Sequence, residues 1–252
     1  MSTIFIERRF QGPPNSGNGG YTCGLVARYV GPSAEVTLRN PPPLDKLLNV
    51  VPVEVGVELR DGEVVLAAGK AVEFEIDSLP NATFSEAQEA AARTPYTAKT
   101  HKLPMCFVCG PQREPGNGLR IFAGPLEGCR TSAGAPFASH WVPSKDLSQE
   151  DGLIGEEFLW AALDCPTGYA VLGGGLEGIT GKEPILLGRL SARIQGRPSP
   201  GEKCVITAKA VARDGRKLLA DGMLFGERGT VLAFARATWI LVNRDVQLGV
   251  PT

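Results

Sequence analysis

Two stretches of the chain repeat one pattern of apolar and polar positions. Gly62-Glu63-Val64-Val65-Leu66-Ala67-Ala68-Gly69-Lys70-Ala71 and Gly229-Thr230-Val231-Leu232-Ala233-Phe234-Ala235-Arg236-Ala237 each place a turn glycine before a branched apolar run. Small residues alternate with larger ones in both, the pattern of a strand leaving a hairpin. Upstream of each lies another strand with a proline stop: Glu35–Arg39 before Pro41-Pro42-Pro43, and Leu190–Ile194 before Pro198 and Pro200. Upstream again is one helical pattern per half, from about Gly19 to Val30 and from about Glu156 to Leu172. Each half therefore reads as strand, loop, one helix, then three or four strands in hairpins. A single helix followed by an antiparallel meander predicts an α+β unit in which the sheet wraps the helix. The halves are placed at residues 1–84 and 105–252, joined by a linker at 85–104. Ser85 to Arg93 is rich in Ala and Glu, with Ser85 and Gln88 placed as a capping box. It predicts a short linker helix, followed by an extended run to Pro104.

Composition narrows the chemistry. The 252 residues include 31 glycines and 20 prolines, together about a fifth of the chain against ~12% in average usage. With 43% hydrophobic residues the chain can bury a core, so the surplus marks turns and not disorder. A net charge of −1 lacks the positive field that nucleic acid or an acidic membrane would require. Met1 to Phe10 carries Glu7, Arg8 and Arg9 with no apolar run behind them, and no apolar stretch reaches the ~20 residues that cross a bilayer. A soluble, cytoplasmic protein without membrane partners is expected, its six cysteines as free thiols. Only two histidines are present, His101 and His140, and no G-x-S-x-G turn presents a serine, which argues against a Ser–His–Asp hydrolase.

The helices hold the candidate chemistry. Asn18-Gly19-Gly20 opens the first with two residues lacking Cβ, so a ligand can approach its N–H groups. The second opens at Gly155-Glu156-Glu157 and carries Phe158, Leu159, Ala161, Ala162 and Leu163, which predicts a buried helix. Asp164 lies within it, and Pro166 removes a backbone bond and predicts a kink. A buried acid is costly unless partnered. Either Asp164 bonds to backbone freed by the proline or to Thr167, or it is a catalytic carboxylate. It lies nine residues beyond Gly155, roughly 13 Å at ~1.5 Å per residue. Donors acting on the same substrate atom would then come from another helix start.

Several motifs resemble thioesterase-superfamily hotdog domains of the phenylacetate-pathway type. They are Cys106-Phe107-Val108-Cys109-Gly110 followed by Gly118-Leu119-Arg120-Ile121-Phe122, the helix ending Ala162-Leu163-Asp164 before Gly168-Tyr169-Ala170, and the meander from Leu187 to Val242. The resemblance runs from about Cys106 to Val242 and, more weakly, from Arg9 to Ile76. It implies two tandem hotdog folds packed as a pseudo-dimer. Relatives of this type have a His-Gly-Gly helix start and an aspartate nine residues after the histidine. There, a glycine N–H polarises the thioester carbonyl, and the aspartate of the opposite hotdog activates water. Here the first half keeps Gly19-Gly20 but has Asn18 for the histidine and Ala27 for the acid. The second keeps Asp164 but has Gly155-Glu156-Glu157. Each half lacks what the other supplies, so one composite site is expected, with its mirror image around Ala27 and Glu156 inactive.

The resemblance thus implies an acyl-CoA thioesterase-like hydrolase, with Asp164 as general base, Gly19 and Gly20 as oxyanion donors, and Asn18 holding the carbonyl or the water. A non-catalytic acyl-CoA-binding protein and a hydratase or dehydratase are the alternatives. Trp160 reads as core or as part of the acyl channel. Trp160, Thr167, Arg120 and Lys182 are the candidate substrate contacts, with Arg113 a further cation for coenzyme A phosphates. Cys106-x-x-Cys109 could be half of a zinc site completed by Cys129 and a histidine, but a single pair is a weak signal and neither metal nor cofactor is expected. Gly173-x-Gly175-x-x-Gly178 matches a dinucleotide fingerprint only formally, since it follows a helix, and reads as a mobile loop at the mouth of the site. The unit could associate further as a homo-oligomer.

Overall fold

A helix that is apolar on every side is stable only inside a core. Both principal helices are of this kind. In the computed structural model, which describes residues 2–131, 133–173 and 175–242, α1 (Gly19–Ala27) is buried from Gly20 onwards, and α3 (Glu156–Gly173) has an unbroken buried run from Glu157 to Val171. Helix α3 carries Pro166 inside it and runs on to Gly173.

Around the helices runs one antiparallel sheet of eleven strands. The first half contributes β1 (Ser2–Phe5), β2 (Ser33–Leu38), β3 (Leu47–Pro52), β4 (Val57–Asp61) and β5 (Val64–Ala71). The second contributes β6 (Gly124–Pro125), β7 (Phe137–Trp141), β8 (Ile185–Ile194), β9 (Cys204–Asp214), β10 (Lys217–Phe225) and β11 (Val231–Leu241). The sheet order is β1-β3-β4-β5-β2-β8-β11-β10-β9-β7-β6. Read outward from the centre, both halves follow the same path: β2-β5-β4-β3-β1 mirrors β8-β11-β10-β9-β7, and the helix of each half follows β1 or β7. Gly62 and Gly229 occupy equivalent hairpin turns at φ 57° and 74°, a conformation that costs little only without a Cβ.

The halves join through β2 and β8, with Ala34 opposite Ala192, Val36 opposite Leu190 and Thr37 opposite Arg189. Strand β2 ends at Leu38, while β8 begins at Ile185, so the first residues of β8 run beyond the pairing. Within the second half, buried Asp221 on β10 forms a bidentate pair with Arg236 on β11.

The two helices cross closely because α1 presents glycines where α3 presents backbone. A Cβ added to Gly20 would lie 2.5 Å from Asp164 Cβ and 2.7 Å from Trp160 O, and one on Gly24 would lie 2.5 Å from Glu157 Cα. These glycines permit helix packing first; the approach of a ligand is not what requires them.

The linker helix α2 (Phe84–Ala92) is capped by Thr83 and Glu86, not by Ser85 and Gln88. The Glu86 carboxylate accepts from both Thr83 N and Thr83 Oγ1 at 2.7 Å, an ionised acceptor that a glutamine would not match. With Leu79 and Ala82, the helix covers a second apolar cluster containing Ala138, Val205, Met223, Phe225 and Phe234. The run to Pro104 is not extended. Thr100 and His101 donate backbone N–H bonds to Thr97 O, and this turn carries His101 inward. Among the described residues no helix is long and apolar enough to cross a membrane.

Candidate active site

Asp164 lies at the crossing of the two helices, 2% exposed. Its Oδ2 accepts from Gly20 N at 2.9 Å and from Asn18 Nδ2 at 3.0 Å, contacts that span 144 and 146 residues. Asn18 is also the N-cap of α1, its Oδ1 accepting from Tyr21 N at 2.9 Å. The second carboxylate oxygen, Oδ1, has no hydrogen-bond partner among the described residues. Burial raises the carboxyl pKa, the Gly20 N–H opposes it, the neighbouring Cys106 adds to the rise, and Asn18 lowers it; the result is about 7. Asp164 therefore titrates near neutrality.

The expected composite of Asn18, Gly19, Gly20 and Asp164 is thus brought together, with one change. The Gly20 N–H is held by Asp164 itself, and the Asn18 amide donates to Asp164 and, at 3.7 Å, to Cys106 Sγ. In the first turn of α1, Gly19 N–H is the group without a partner among the described residues. Thr167 touches the backbone of Asp164 instead of its carboxylate: its hydroxyl donates to Asp164 O at 2.6 Å and accepts from Trp239 Nε1 at 3.0 Å.

A cavity of about 360 Å3 opens beside Asp164, at the boundary where β2 stops and β8 continues. Leu38, Leu103, Leu172, Leu187 and Ile240 supply apolar walls, and Asn18, Gly19 and Asp164 supply polar floor. Its size and character fall within the ~300–1,000 Å3 of ligand sites. Gly188 lines it at a bulge in β8, opposite the step from Thr238 to Trp239.

The four candidate substrate contacts do not line this cavity. Trp160 is 1% exposed and belongs to the core, and Thr167 is fully buried. Arg120 turns back to bond Arg113 O and lies over the Phe122 ring, while Arg113 is fixed by Met105 O and Asn117 O. Lys182 belongs to a loop that folds around Glu183, whose carboxylate accepts backbone bonds from Thr180, Gly181 and Lys182. The cations that do reach the cavity are Arg39 and Lys102.

Position along the chain gave no sign of His101. Its Nδ1 accepts from Leu103 N at 3.0 Å, so Nε2 carries the proton and donates to Tyr169 Oη at 3.2 Å. Burial holds the imidazole below its ordinary pKa, which keeps it neutral. Both residues line the cavity; His140 lies on β7 beside the Phe84 ring. Cys106 and Cys109 are not on a strand. They sit in a turn closed by Gly110 N donating to Cys106 O at 2.8 Å, where Cys165 of α3, and not Cys129, faces them.

The mirror-image position is filled. Where symmetry would place a second helix-start glycine, Glu157 is buried and bonds Arg28 Nη2 at 2.6 Å, next to Ala27.

No family model matches the chain, and no curated protein matches it. Among solved structures, the tesB protein of Mycobacterium avium subsp. paratuberculosis superposes with TM-score 0.63 at 12% identity, over 96% of this chain and 92% of that one. A conserved protein of unknown function with a hot dog fold from Alicyclobacillus acidocaldarius superposes with TM-score 0.58 at 12% identity, again over 96% and 92%. The fold is a tandem hotdog. Each hotdog unit is one helix wrapped by its half of the sheet, and the candidate site lies where the two units meet.

Proposed function

We propose that this protein hydrolyses an acyl thioester of the acyl-CoA class in the cytoplasm. The observation that carries the reading is the Asp164 carboxylate: buried, poised near pH 7, with one oxygen unpartnered among the described residues, in an apolar cavity facing a helix start. In this reading Asp164 takes a proton from water as the water oxygen attacks the thioester carbonyl. The carbonyl oxygen becomes an oxyanion beside the Gly19 N–H and the positive end of α1. Collapse breaks the carbon–sulfur bond, and the leaving thiolate takes the proton back from Asp164. Asn18 and Gly20 hold the carboxylate in place and do not touch the substrate. Arg39 and Lys102 are the cations available to coenzyme A phosphates.

Purified protein tested on a panel of acyl-CoAs with a thiol reagent is expected to release free CoA. The rate should rise with pH through about 7, as Asp164 loses its proton, and fall about 100- to 10,000-fold in Asp164→Asn. Equal release by that variant would refute the mechanism. One observation favours a binding role instead: both donors nearest the carboxylate are already committed to it. Tight acyl-CoA binding with no turnover at any pH would select that reading. A hydratase relying on His140 has no support from a histidine that lies away from the cavity.

A further inference from the structure

Three thiols that are distant in sequence converge beside the cavity. The sulfurs of Cys106, Cys109 and Cys165 all lie within 4.8 Å of one another, and Cys106 and Cys165 are 3.8 Å apart. Three features beyond proximity distinguish the cluster. First, a tetrahedral metal with thiolates at ~2.3 Å places its sulfurs about 3.8 Å apart, the spacing already present between Cys106 and Cys165. Second, Cys106 and Cys109 are held together by one closed turn, in which Gly110 N donates to Cys106 O at 2.8 Å. The turn that delivers them needs a residue without a Cβ at Gly110, because a Cβ there would lie 2.5 Å from Cys106 O and 2.6 Å from Pro104 O. Third, polar neighbours are in place: the Asn18 amide reaches Cys106 at 3.7 Å, and the Tyr169 hydroxyl, to which His101 donates, lines the same cavity.

We infer that Cys106, Cys109 and Cys165 form a binding site for one soft divalent ion of the zinc class, with three protein thiolates and a fourth position facing the cavity. Thiolate ligands select such ions over hard cations. The fourth ligand comes from the cavity because no fourth His, Cys, Asp or Glu among the described residues completes the cluster, and all three cysteines line that cavity. An open fourth position is the arrangement of reactive zinc sites, where closed four-ligand sites are structural. Binding takes all three sulfurs as thiolates and releases to solvent the protons that the thiols still carry. The site stands independently of the hydrolase reading, because metal uptake is measured without substrate.

The test uses the full chain, reduced under anaerobic conditions, stripped of metal and titrated with Co2+ in weak buffer. One ion per chain is expected, with the intense sulfur-to-cobalt charge-transfer absorption, release of protons on binding, and displacement by Zn2+. Cys106→Ser, Cys109→Ser and Cys165→Ser should each weaken binding on the order of 100-fold or more, whereas Cys129→Ser and Cys204→Ser should leave it unchanged. Where a serine variant fails to fold, proton release and a Zn2+-dependent rise in melting temperature of the unaltered protein decide the matter. Substoichiometric uptake by the unaltered protein, absence of the charge-transfer absorption, or a site that survives Cys106→Ser would overturn the inference.

Discussion

Replacing Asp164 by asparagine is expected to make the protein more stable above neutral pH while removing its base. The reason is the cost of ionising a carboxyl at the helix crossing. Its pKa is about 7 in the folded protein against 3.8 ordinarily, and at ~1.4 kcal/mol per unit the difference amounts to about 4 kcal/mol. The sign follows from proton binding. Below pH 4 the group is protonated in both states and costs nothing. Between about pH 4 and 7 only the unfolded chain ionises, so the fold loses stability as pH rises; above 7 the loss is constant. From pH 5 to pH 8 the loss grows by about 2.5 kcal/mol. Asparagine cannot ionise, and its Oδ1 can still accept from Gly20. Its amide N–H groups take the place of an oxygen that has no partner among the described residues, at a cost of about 1–3 kcal/mol that does not vary with pH. The variant should therefore be close to the wild type or slightly weaker at pH 5, and more stable by about 1–3 kcal/mol at pH 8. Urea unfolding of both proteins at pH 5, 6, 7 and 8 measures this, with the slope against denaturant confirming that the same transition is compared. A difference that stays flat across that range would refute the burial argument, because every other titrating group is common to both chains.

Five further substitutions probe the packing around the site. Gly20→Ala places a methyl 2.5 Å from Asp164 Cβ and 2.7 Å from a helix carbonyl, and should cost about 1–3 kcal/mol or more; Gly19→Ala meets the movable end of Leu187 at 3.0 Å and should cost much less. Melting temperatures of the pair measure the contrast, and equal losses would show that the crossing is looser than described. Thr167→Val removes both the bond to Asp164 O and the acceptor of Trp239 Nε1, and denaturant unfolding should show a loss of about 1–3 kcal/mol. Arg28→Ala leaves the buried Glu157 carboxylate without its cation, and should destabilise more than Glu157→Gln, which removes the charge itself. The reverse order in unfolding measurements would count against the filled mirror site.

The two-unit plan was legible in the sequence because apolar periodicity is local. A turn glycine before an alternating run needs only a dozen residues to be recognised, and the two runs became β5 and β11 in equivalent places. Complementarity was legible as well: Gly19-Gly20 without an acid, and Asp164 without glycines, pointed at each other across the chain. What the pairing of β2 with β8 decided was how those residues meet. The crossing of α1 and α3 that goes with it gives the Gly20 N–H to Asp164, and leaves Gly19 free to face the cavity. Cys165 joins Cys106 across 59 residues, and His101 enters the cavity from a linker that carried no functional signal. Trp160 and Thr167 share the helical spacing of a lining residue but face the core, because which side of a wholly apolar helix meets a cavity depends on what packs against it. Spacing along one chain fixes the elements and which residues share a face; the partner that each face finds is set by contacts between residues far apart in the sequence.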